Sequence, residues 1–532
     1  MKKITYSKFV DKAHGCWYGK CLGGAAGAPV EGLKQVIDID DFTEIFNPDL
    51  PNDDLDLQLL WLDVLERKGA NITSCDLADA WLEKCWYPFS EYGYFLKNYM
   101  RGIKPPYSGI INNSFFKEGM GCPIRSEIWG IVSAGNAELA AEYAYMDGCL
   151  DHADNSVYAE QFLAAVESMA FFEDDILTLI HKGMEYIPKN SRLYGCFEMV
   201  LEAYSQNTEW QTVRTKVLNK YGHPDFSNVI QNLGFVLIAL LYGDGDMCKT
   251  INIALKCGYD TDCTCASAAS IIGIIKGYSG LGELGGLIND YFVCGIDVVR
   301  PSDSIKRLAV DSVDMALKIP NSKLIVTDRE NDRGELHLRY EYPTAEGFDA
   351  TLRSIDPVKW DIYGPYFDQL KQEINPNYPS PHGEGANLPD MVCMVNNEAF
   401  LDTDYLKGEK VCTIDAYEDM IELDNYITMK GQYACTAETT VISGSDRKVW
   451  AVVGNNDGFI LSVNGEEMLR ADEMRMWTPY NNFCLIDLKK GENKIELKLL
   501  KRGEVFKFSI GFRSYNGEHW HRSKWCTDLK FA

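Results

Sequence analysis

The residues best suited to catalysis or metal binding are four aspartates in two short stretches, about 200 residues apart. Asp53 and Asp54 stand in "PNDDLDLQLLWLDVLE", and Asp260 and Asp262 stand in "ALKCGYDTDCTCASAASIIGIIKG". Each pair precedes a strongly apolar segment, which predicts that each lies at the start of a buried helix. Because an isolated buried carboxylate costs more free energy than a fold can offset, these groups need hydrogen bonds, ion pairs or a metal ion.

Helix capping is the simpler explanation for any one of these aspartates. Pro51 and Asn52 are typical of a helix start, and Asp53 and Asp54 then fall in the first turn, where the helix dipole favours anions. Four carboxylates at two buried helix starts exceed that need, and they would repel one another unless something positive neutralised them. Two Mg²⁺ or Mn²⁺ ions would do so, since hard cations take oxygen ligands and leave positions for water and substrate hydroxyls.

Helices must position these groups, because the residues up to about Leu317 have helical periodicity and we predict an all-α domain over residues 1–318. The helix after Asp54 is apolar nearly all round and should be buried. The one after Asp262 carries the small residues 266–270, which let a neighbouring helix approach closely. The stretch "YAEQFLAAVESMAFFEDDILTLIHKGMEYI" has one apolar stripe and predicts a long amphipathic helix.

The pattern changes at about residue 319. "SKLIVTDRENDRGELHLRYEY" alternates apolar and polar residues on both sides of a polar turn, which predicts a β-hairpin connector over residues 319–354. Short β-branched and aromatic segments follow, with Asn464–Gly465 and Lys490–Gly491 between alternating runs as in antiparallel hairpins. "EINPNYPSPHGEGANLPD" is typical of a long loop. We therefore predict a multidomain protein whose helical domain is followed by an antiparallel β-sandwich over residues 355–532, of the jelly-roll or carbohydrate-binding kind.

Composition narrows the choice of partners and compartment. The formal net charge of −26 argues against nucleic acid or an anionic membrane as partner, since both need clustered Lys and Arg. The amino terminus lacks the apolar core of a signal peptide, and the longest apolar run is too short to span a bilayer. Seventeen cysteines without a C-x-x-C pair are typical of reduced thiols. We expect a cytoplasmic protein; the sequence carries no signal for its oligomeric state.

The two aspartate clusters in a helical chain resemble the ADP-ribosylglycohydrolase family, in which Thr-Asp-Asp-Thr and Asp-x-Asp-Thr motifs hold two Mg²⁺ or Mn²⁺ ions. "GCWYGKCLGGAAGAPVEG" is similar to that family's opening helix and glycine-rich turn, with Glu31 at the acidic position near the metals. "EGMGCPIR" is similar to its Gly-x-Gly-x-x-x-Arg loop, with Gly119, Gly121 and Arg125 in register. "DGCLDHADN" is similar to the segment that lines the ribose site, with His152 in register. The resemblance covers residues 8–280.

Three positions depart from the family pattern and indicate a divergent branch. Asn52 and Leu55 stand where the first motif has Thr, and Cys263 replaces the Thr after the second aspartate pair. A Thr hydroxyl is a hard ligand, whereas Leu cannot coordinate a cation and a thiol suits Mg²⁺ poorly.

The resemblance implies a metal-dependent hydrolase that cleaves an N- or O-glycosidic bond at an anomeric carbon. The implied metal ligands are Asn52, Asp53, Asp54, Asp260 and Asp262. The implied catalytic residues are Glu31, Asp53, Asp54 and Asp262, with Glu31 orienting or deprotonating water or protonating the leaving group. The implied substrate contacts are Gly119, Met120, Gly121, Arg125 and His152.

Two of these residues also have a purely structural explanation. Glu31 could be a helix-start carboxylate, and His152 could be a satisfied helix-end histidine. The substrate is a small molecule or a glycan, and an ADP-ribose conjugate is the first possibility. One alternative is a glycosidase that acts on a carbohydrate or a small glycoside. The other is a non-catalytic sugar-binding or structural protein on the same scaffold.

Overall fold

The computed structural model describes residues 1–48, 53–366, 408–428, 433–471 and 475–532, without the side chains of Asp53 and Tyr366. The predicted ligand Asn52 and the predicted loop "EINPNYPSPHGEGANLPD" lie outside the described residues, as does the side chain of Asp53.

Helices dominate the first 320 described positions. In chain order the α-helices of the described residues are α1 (Tyr6–Gly27), α2 (Asp53–Lys68), α3 (Ser74–Lys84), α4 (Ser90–Met100), α5 (Glu127–Val132), α6 (Ala137–Gly148), α7 (Asn155–Ala170), α8 (Ile176–Gly183), α9 (Arg192–Ser205), α10 (Trp210–Tyr221), α11 (Val229–Tyr242), α12 (Met247–Cys257), α13 (Thr261–Lys276), α14 (Ile305–Ala316) and α15 (Ala345–Arg353).

Strands dominate the rest. They are β1 (Lys2–Ile4), β2 (Leu324–Val326), β3 (Val358–Tyr366), β4 (Lys410–Ala416), β5 (Ile421–Glu422), β6 (Tyr433–Ser443), β7 (Arg447–Asn455), β8 (Phe459–Val463), β9 (Glu466–Ala471), β10 (Asn482–Leu488), β11 (Gly491–Lys501), β12 (Lys507–Ser514) and β13 (Lys530–Phe531).

The chain forms two compact units. The first comprises Met1–Trp86 and Lys104–Pro343, and the second comprises Tyr87–Ile103 and Thr344–Ala532. The first unit is the helical one; α11 is buried from Val229 to Leu241, and α13 from Thr261 to Ile274. Helices that are apolar or small on every side must lie inside such a bundle, because they have no face to offer to water.

The second unit contains a β-sandwich. One sheet has the strand order β4-β3-β6-β11-β8-β9, with β13 also pairing β6, and the other has the order β10-β7-β12-β5. The strands of both sheets pair antiparallel. Alternate residues of both sheets share one apolar core that includes Trp360, Val453, Phe459, Leu497 and Phe508. The predicted fold class, an all-α domain followed by antiparallel strands, is confirmed.

One of the two predicted hairpins is present in the structure, and the other is not. Asn464 and Gly465, both with positive φ, join β8 to β9, which pair directly. Lys490 and Gly491 instead lie between β10 and β11, and these strands belong to different sheets. The second hairpin prediction is therefore wrong, because an alternating pattern marks a buried face without specifying which sheet supplies the neighbouring strand.

Two other local expectations differ from the structure. Within residues 319–354, β2 pairs parallel with β1 and α15 follows, where the pattern predicted a hairpin. The long amphipathic stretch is two helices, α7 and α8, because the side chain of Asp175 accepts a hydrogen bond from Thr178 N and caps a new helix start.

The sixteen described cysteines are all free thiols. A search of the described helices found none with the length and apolar character needed to cross a bilayer.

Candidate metal centre

Three segments of the helical unit bring acidic side chains together. One oxygen atom each of Glu31, Asp260 and Asp262 lies within 4.8 Å of the others. One ligand atom each of Asp54, Asp262 and Cys263 forms a second group of the same dimensions. Asp262 belongs to both groups, so the geometry offers two adjacent cation positions with a shared carboxylate.

Glu31 is positioned by the close contact between α1 and α13. Gly15, Gly19, Gly23 and Gly27 recur every fourth residue along α1 and face the backbone of α13. A Cβ atom on any of the four would lie 2.1–2.4 Å from a carbonyl oxygen of α13. Because Gly27 faces Thr261, the end of α1 meets the start of α13, and the residues after Gly27 arrive beside Asp260 and Asp262.

A short backbone ladder holds the next part of the chain. Gly32 N donates to Tyr259 O (2.8 Å), and Tyr259 N donates to Leu33 O (2.9 Å). Gly258 has φ +70°, and a Cβ there would lie 2.1 Å from Gln35 O. Glycine is needed at this turn because other residues rarely adopt that conformation and would also clash.

The carboxylates of Asp260 and Asp262, at the start of α13, are buried beside other carboxylates. Asp260 and Asp262 are 2% and 8% exposed. Burial, followed by the carboxylates of Asp262 and Glu31, raises the pKa of Asp260 well above its usual range. Burial, followed by Glu31 and Asp54, raises the pKa of Asp262 to about 8. Oδ1 of Asp262 is buried and accepts no hydrogen bond from the described residues. Such an oxygen is a strong candidate for a cation ligand.

Asp54 differs, because the protein supplies it with a cation. Lys20 is fully buried, and its Nζ lies 3.2 Å from both Asp54 Oδ2 and Glu127 Oε1. The same Nζ donates to Ile124 O (2.6 Å). Burial lowers the pKa of Lys20, but Asp54 and Glu127 outweigh burial, so its pKa lies above the usual range. Gln58 donates to the other oxygen of Glu127 (2.8 Å), which fixes this side of the centre.

Cys263 occupies the ligand position that the sequence had marked as a departure. Its Sγ lies 3.6 Å from Asp54 Oδ1, in position to donate a weak hydrogen bond. The hydroxyl of Thr261 donates to Gly27 O and that of Thr264 to Thr261 O, so neither hydroxyl is directed at the acidic groups. Leu55 lines a small cavity of about 40 Å³ with apolar neighbours that include Ala25 and Phe292.

Arg125 and His152 belong to a second buried cluster. Arg125 donates to Asp147 Oδ1 (2.7 Å) and to both oxygens of Asp151 (2.6 and 3.0 Å). His152 Nδ1 lies 2.9 Å from Asp151 Oδ1. Burial raises the pKa of Asp151, but Arg125 and His152 outweigh burial and hold it at about 2. Beside them, burial and then Asp147 raise the pKa of Glu160 well above its usual range.

The Gly-x-Gly-x-x-x-Arg loop, whose residues were predicted to contact the substrate, is hydrogen-bonded to its own surroundings. Gly119 N donates to Phe116 O (2.8 Å), so that amide already has an acceptor. Gly119 O accepts from the Ser156 hydroxyl, and Gly121 O accepts from Arg125 Nη1 (2.9 Å). Met120 is 1% exposed.

The structure brings together Glu31, Asp54, Asp260 and Asp262, which the sequence had singled out, but sequence reasoning missed the residues that contact them. Lys20 and Gln58 hold Asp54 and Glu127, and Asn232 Oδ1 accepts from Asp260 N (3.4 Å). Lys20 is the one charged residue in the stretch "GKCLGGAAG" at the end of α1, and that was the available signal for it. The four-residue spacing of the glycines was the signal for the helix contact.

Comparisons with known proteins identify one matching family. A family model described as ADP-ribosylglycohydrolase matches residues 5–304. No curated protein matches the chain.

Similar solved structures include three with low sequence identity to this chain. An ADP-ribosylglycohydrolase-related protein complex is 18% identical over 58% of this chain and 99% of that chain, with a TM-score of 0.41. A β-glucosidase from Kluyveromyces marxianus in complex with glucose is 8% identical over 30% of this chain and 16% of that chain, with a TM-score of 0.19. The PA14 domain of the MpAFP antifreeze protein is 10% identical over 33% of this chain and 90% of that domain, with a TM-score of 0.21.

The family assignment rests on the family model. That model covers more than half of the chain and includes Glu31 and both aspartate clusters. The chain therefore belongs to the ADP-ribosylglycohydrolase family.

Proposed function

We propose that this protein is a Mg²⁺- or Mn²⁺-dependent glycohydrolase that cleaves an N- or O-glycosidic bond at an anomeric carbon. The observation that carries the proposal is the pair of acidic ligand groups that share Asp262. Membership of the ADP-ribosylglycohydrolase family supports the reaction class.

The residues fit hard divalent cations. Glu31, Asp260 and Asp262 form an all-oxygen group, and Oδ1 of Asp262 is buried without a donor among the described residues. We propose that this group and Asp54, with Asn52 and Asp53 from the same helix start, hold the two ions. When bound, such ions supply Lewis acidity and anchor vicinal hydroxyls of the substrate.

The chain's own groups would orient the reaction. Glu31 is the exposed member of its group, so it can hold the attacking water and accept its proton. Departure of the substituent at C1 gives the sugar oxocarbenium character, which nearby carboxylates stabilise. Lys20 and Gln58 keep Asp54 and Glu127 in place, as preorganised groups cost no rearrangement during reaction.

Substrate contacts remain a proposal for Gly119, Met120, Gly121 and His152. Arg125 is fully buried between Asp147 and Asp151. We propose that Arg125 positions the loop through its bond to Gly121 O and does not itself touch the substrate.

The test is a comparison of ADP-ribose conjugates with aryl glycosides as substrates, with Mg²⁺ or Mn²⁺ and after chelation. We expect hydrolysis to require the cation, and we expect Glu31→Gln to lower kcat by about 10²–10⁴-fold, the usual contribution of a general base. Metal binding by Glu31→Gln, measured by calorimetry, separates loss of the base from loss of the ion. Hydrolysis at the wild-type rate after complete chelation would contradict the proposal.

A second candidate, a glycosidase for a carbohydrate, is favoured by a feature of the β-sandwich unit. A cavity of about 440 Å³ there is lined by Trp360, Trp525, Lys97 and Asp419, among others. The indole of Trp525, with its charged neighbours, suits a sugar, and its Nε1 is buried without an acceptor among the described residues. Preference for aryl glycosides, together with sugar binding that Trp525→Ala removes, would favour this candidate. Absence of both metal binding and hydrolysis would favour a non-catalytic protein.

A further inference from the structure

The two ligand groups of the metal centre differ in chemistry. Glu31, Asp260 and Asp262 offer oxygen alone, whereas Asp54, Asp262 and Cys263 offer two carboxylates and a sulfur. Oxygen ligands suit Mg²⁺ and Mn²⁺, while a thiolate selects softer ions such as Zn²⁺ or Co²⁺.

At the start of α13, the sulfur of Cys263 is available as a metal ligand, whereas the neighbouring hydroxyls are not. Cys263 is 7% exposed, and its Sγ lies 3.6 Å from Asp54 Oδ1. The neighbouring hydroxyls of Thr261 and Thr264 are directed at backbone carbonyls.

A second observation points independently to a ligand at this place. The carboxylate of Asp262 is more than nine-tenths buried, and its Oδ1 accepts no hydrogen bond from the described residues. A buried carboxyl oxygen without a hydrogen-bond donor is costly, and a cation bound to Asp262 would remove that cost.

We propose that the two positions hold unlike ions, a hard cation at Glu31, Asp260 and Asp262 and a thiophilic one at Asp54, Asp262 and Cys263. The inference rests on the proposed function, because it assigns metals within the same centre. On binding, a sulfur–metal bond replaces the S–H bond, and the proton passes to solvent. Lys20, which contacts the other oxygen of Asp54, leaves Asp54 Oδ1 to face the sulfur.

The experiment is a Co²⁺ titration of the full chain in excess Mg²⁺, followed by the ultraviolet thiolate-to-cobalt charge-transfer band. We expect the wild-type protein to develop a band that Cys263→Ser removes, with Co²⁺ affinity at least about tenfold lower, since even an outer-shell change commonly costs that much. Cys265→Ser is the matched control. Cys265 is buried on the same helix, where its Sγ donates to Ile251 O.

A second variant guards against misfolding. Cys263→Thr replaces the thiol with a hard oxygen donor of similar size, and we expect it to lose the band while retaining Mg²⁺ binding measured by calorimetry. A band of equal strength in wild-type, Cys263→Ser and Cys263→Thr proteins would overturn the inference. So would cation-dependent hydrolysis by a wild-type protein that gives no thiolate band.

The same data separate this inference from the proposed function. If no substrate is hydrolysed with any cation but the band depends on Cys263, the glycohydrolase proposal fails and the mixed site stands. If Mg²⁺ supports hydrolysis and Cys263 has no effect on the band, the mixed site fails and the glycohydrolase proposal stands.

Discussion

Two buried aspartates of the helical unit have opposite environments. Asp151 accepts hydrogen bonds from Nη1 and Nη2 of Arg125 and lies beside the imidazole of His152. These two cations outweigh the effect of burial and hold the pKa of Asp151 at about 2. Asp262 is buried near Glu31 and Asp54, and burial together with these carboxylates raises its pKa to about 8. The first cluster contains its own cations, whereas we propose that the second takes up a cation from solution.

This difference helps to distinguish acidic residues that stabilise the fold from acidic residues that are candidates for a functional site. A buried carboxylate with an Arg partner is explained by the fold, because the pair satisfies its own charge and hydrogen bonds. A buried carboxylate whose strongest neighbours are also acidic is a candidate site. The comparison also changes the interpretation of Arg125, which sequence resemblance placed against the substrate and the structure places inside the balanced cluster.

Arg125→Met should have the largest effect on stability. It leaves Asp147 buried without its cation and Asp151 with His152 alone, and we expect the free energy of unfolding to fall by about 3–5 kcal/mol. Urea denaturation measures the change. Arg125→Lys keeps the charge but loses the paired hydrogen bonds, so its loss should be smaller. A loss below about 1 kcal/mol for the Met variant, where a buried partner is removed, would argue against a balanced cluster.

Added metal should stabilise the other cluster. At a concentration about one hundred times its Kd, Mg²⁺ or Mn²⁺ should raise the free energy of unfolding by about 2.7 kcal/mol. Asp262→Asn should abolish that gain, because Asp262 belongs to both ligand groups. Asp63→Asn, an aspartate of α2 that pairs with Lys84, should retain it. Equal gains in wild-type and Asp262→Asn proteins would place the ion elsewhere.

Gly27→Ala should disturb the candidate metal centre while sparing the Arg125 cluster. The added Cβ would lie 2.2 Å from Thr261 O, so α1 and α13 must separate. We expect a loss of about 1–3 kcal/mol, typical of overpacking, and weaker Mg²⁺ binding by calorimetry. Gly286→Ala is the control, since a Cβ there meets no atom within 4 Å. Unchanged metal affinity in Gly27→Ala would mean that this contact does not position Glu31.

The smallest expected effect is a difference in sign: Asp-to-Asn substitution should change the free energy of unfolding in opposite directions at Asp262 and Asp151. Without metal, Asp262→Asn should leave stability unchanged or raise it by about 0.5–2 kcal/mol, because it removes repulsion at a functional site. Asp151→Asn should lower stability, because Arg125 and His152 lose a charged partner. Urea denaturation in chelator measures both variants. Destabilisation by Asp262→Asn without metal would remove the contrast between the clusters.

Much of the site was accessible before the structure. The aspartate pairs, the apolar segments behind them and the glycine-rich stretch before Glu31 are local patterns, and each predicts a helix start or a turn by itself. The partners Lys20 and Asn232 were not accessible, because their contacts join residues far apart in the chain. For the same reason, the Lys490–Gly491 turn was assigned to a hairpin although its strands lie in different sheets.

The amino-acid sequence alone determined the helical and strand-rich regions, the acidic groups and the family resemblance, since periodicity and residue type act over a few neighbouring positions. Only the tertiary structure decided which charges are balanced. Arg125 and Asp262 both stand in motifs with the appearance of a functional site, yet Arg125 is enclosed by groups of opposite charge and Asp262 by groups of its own sign. Electrostatic free energy depends on distance and burial, and both are set by how remote segments pack.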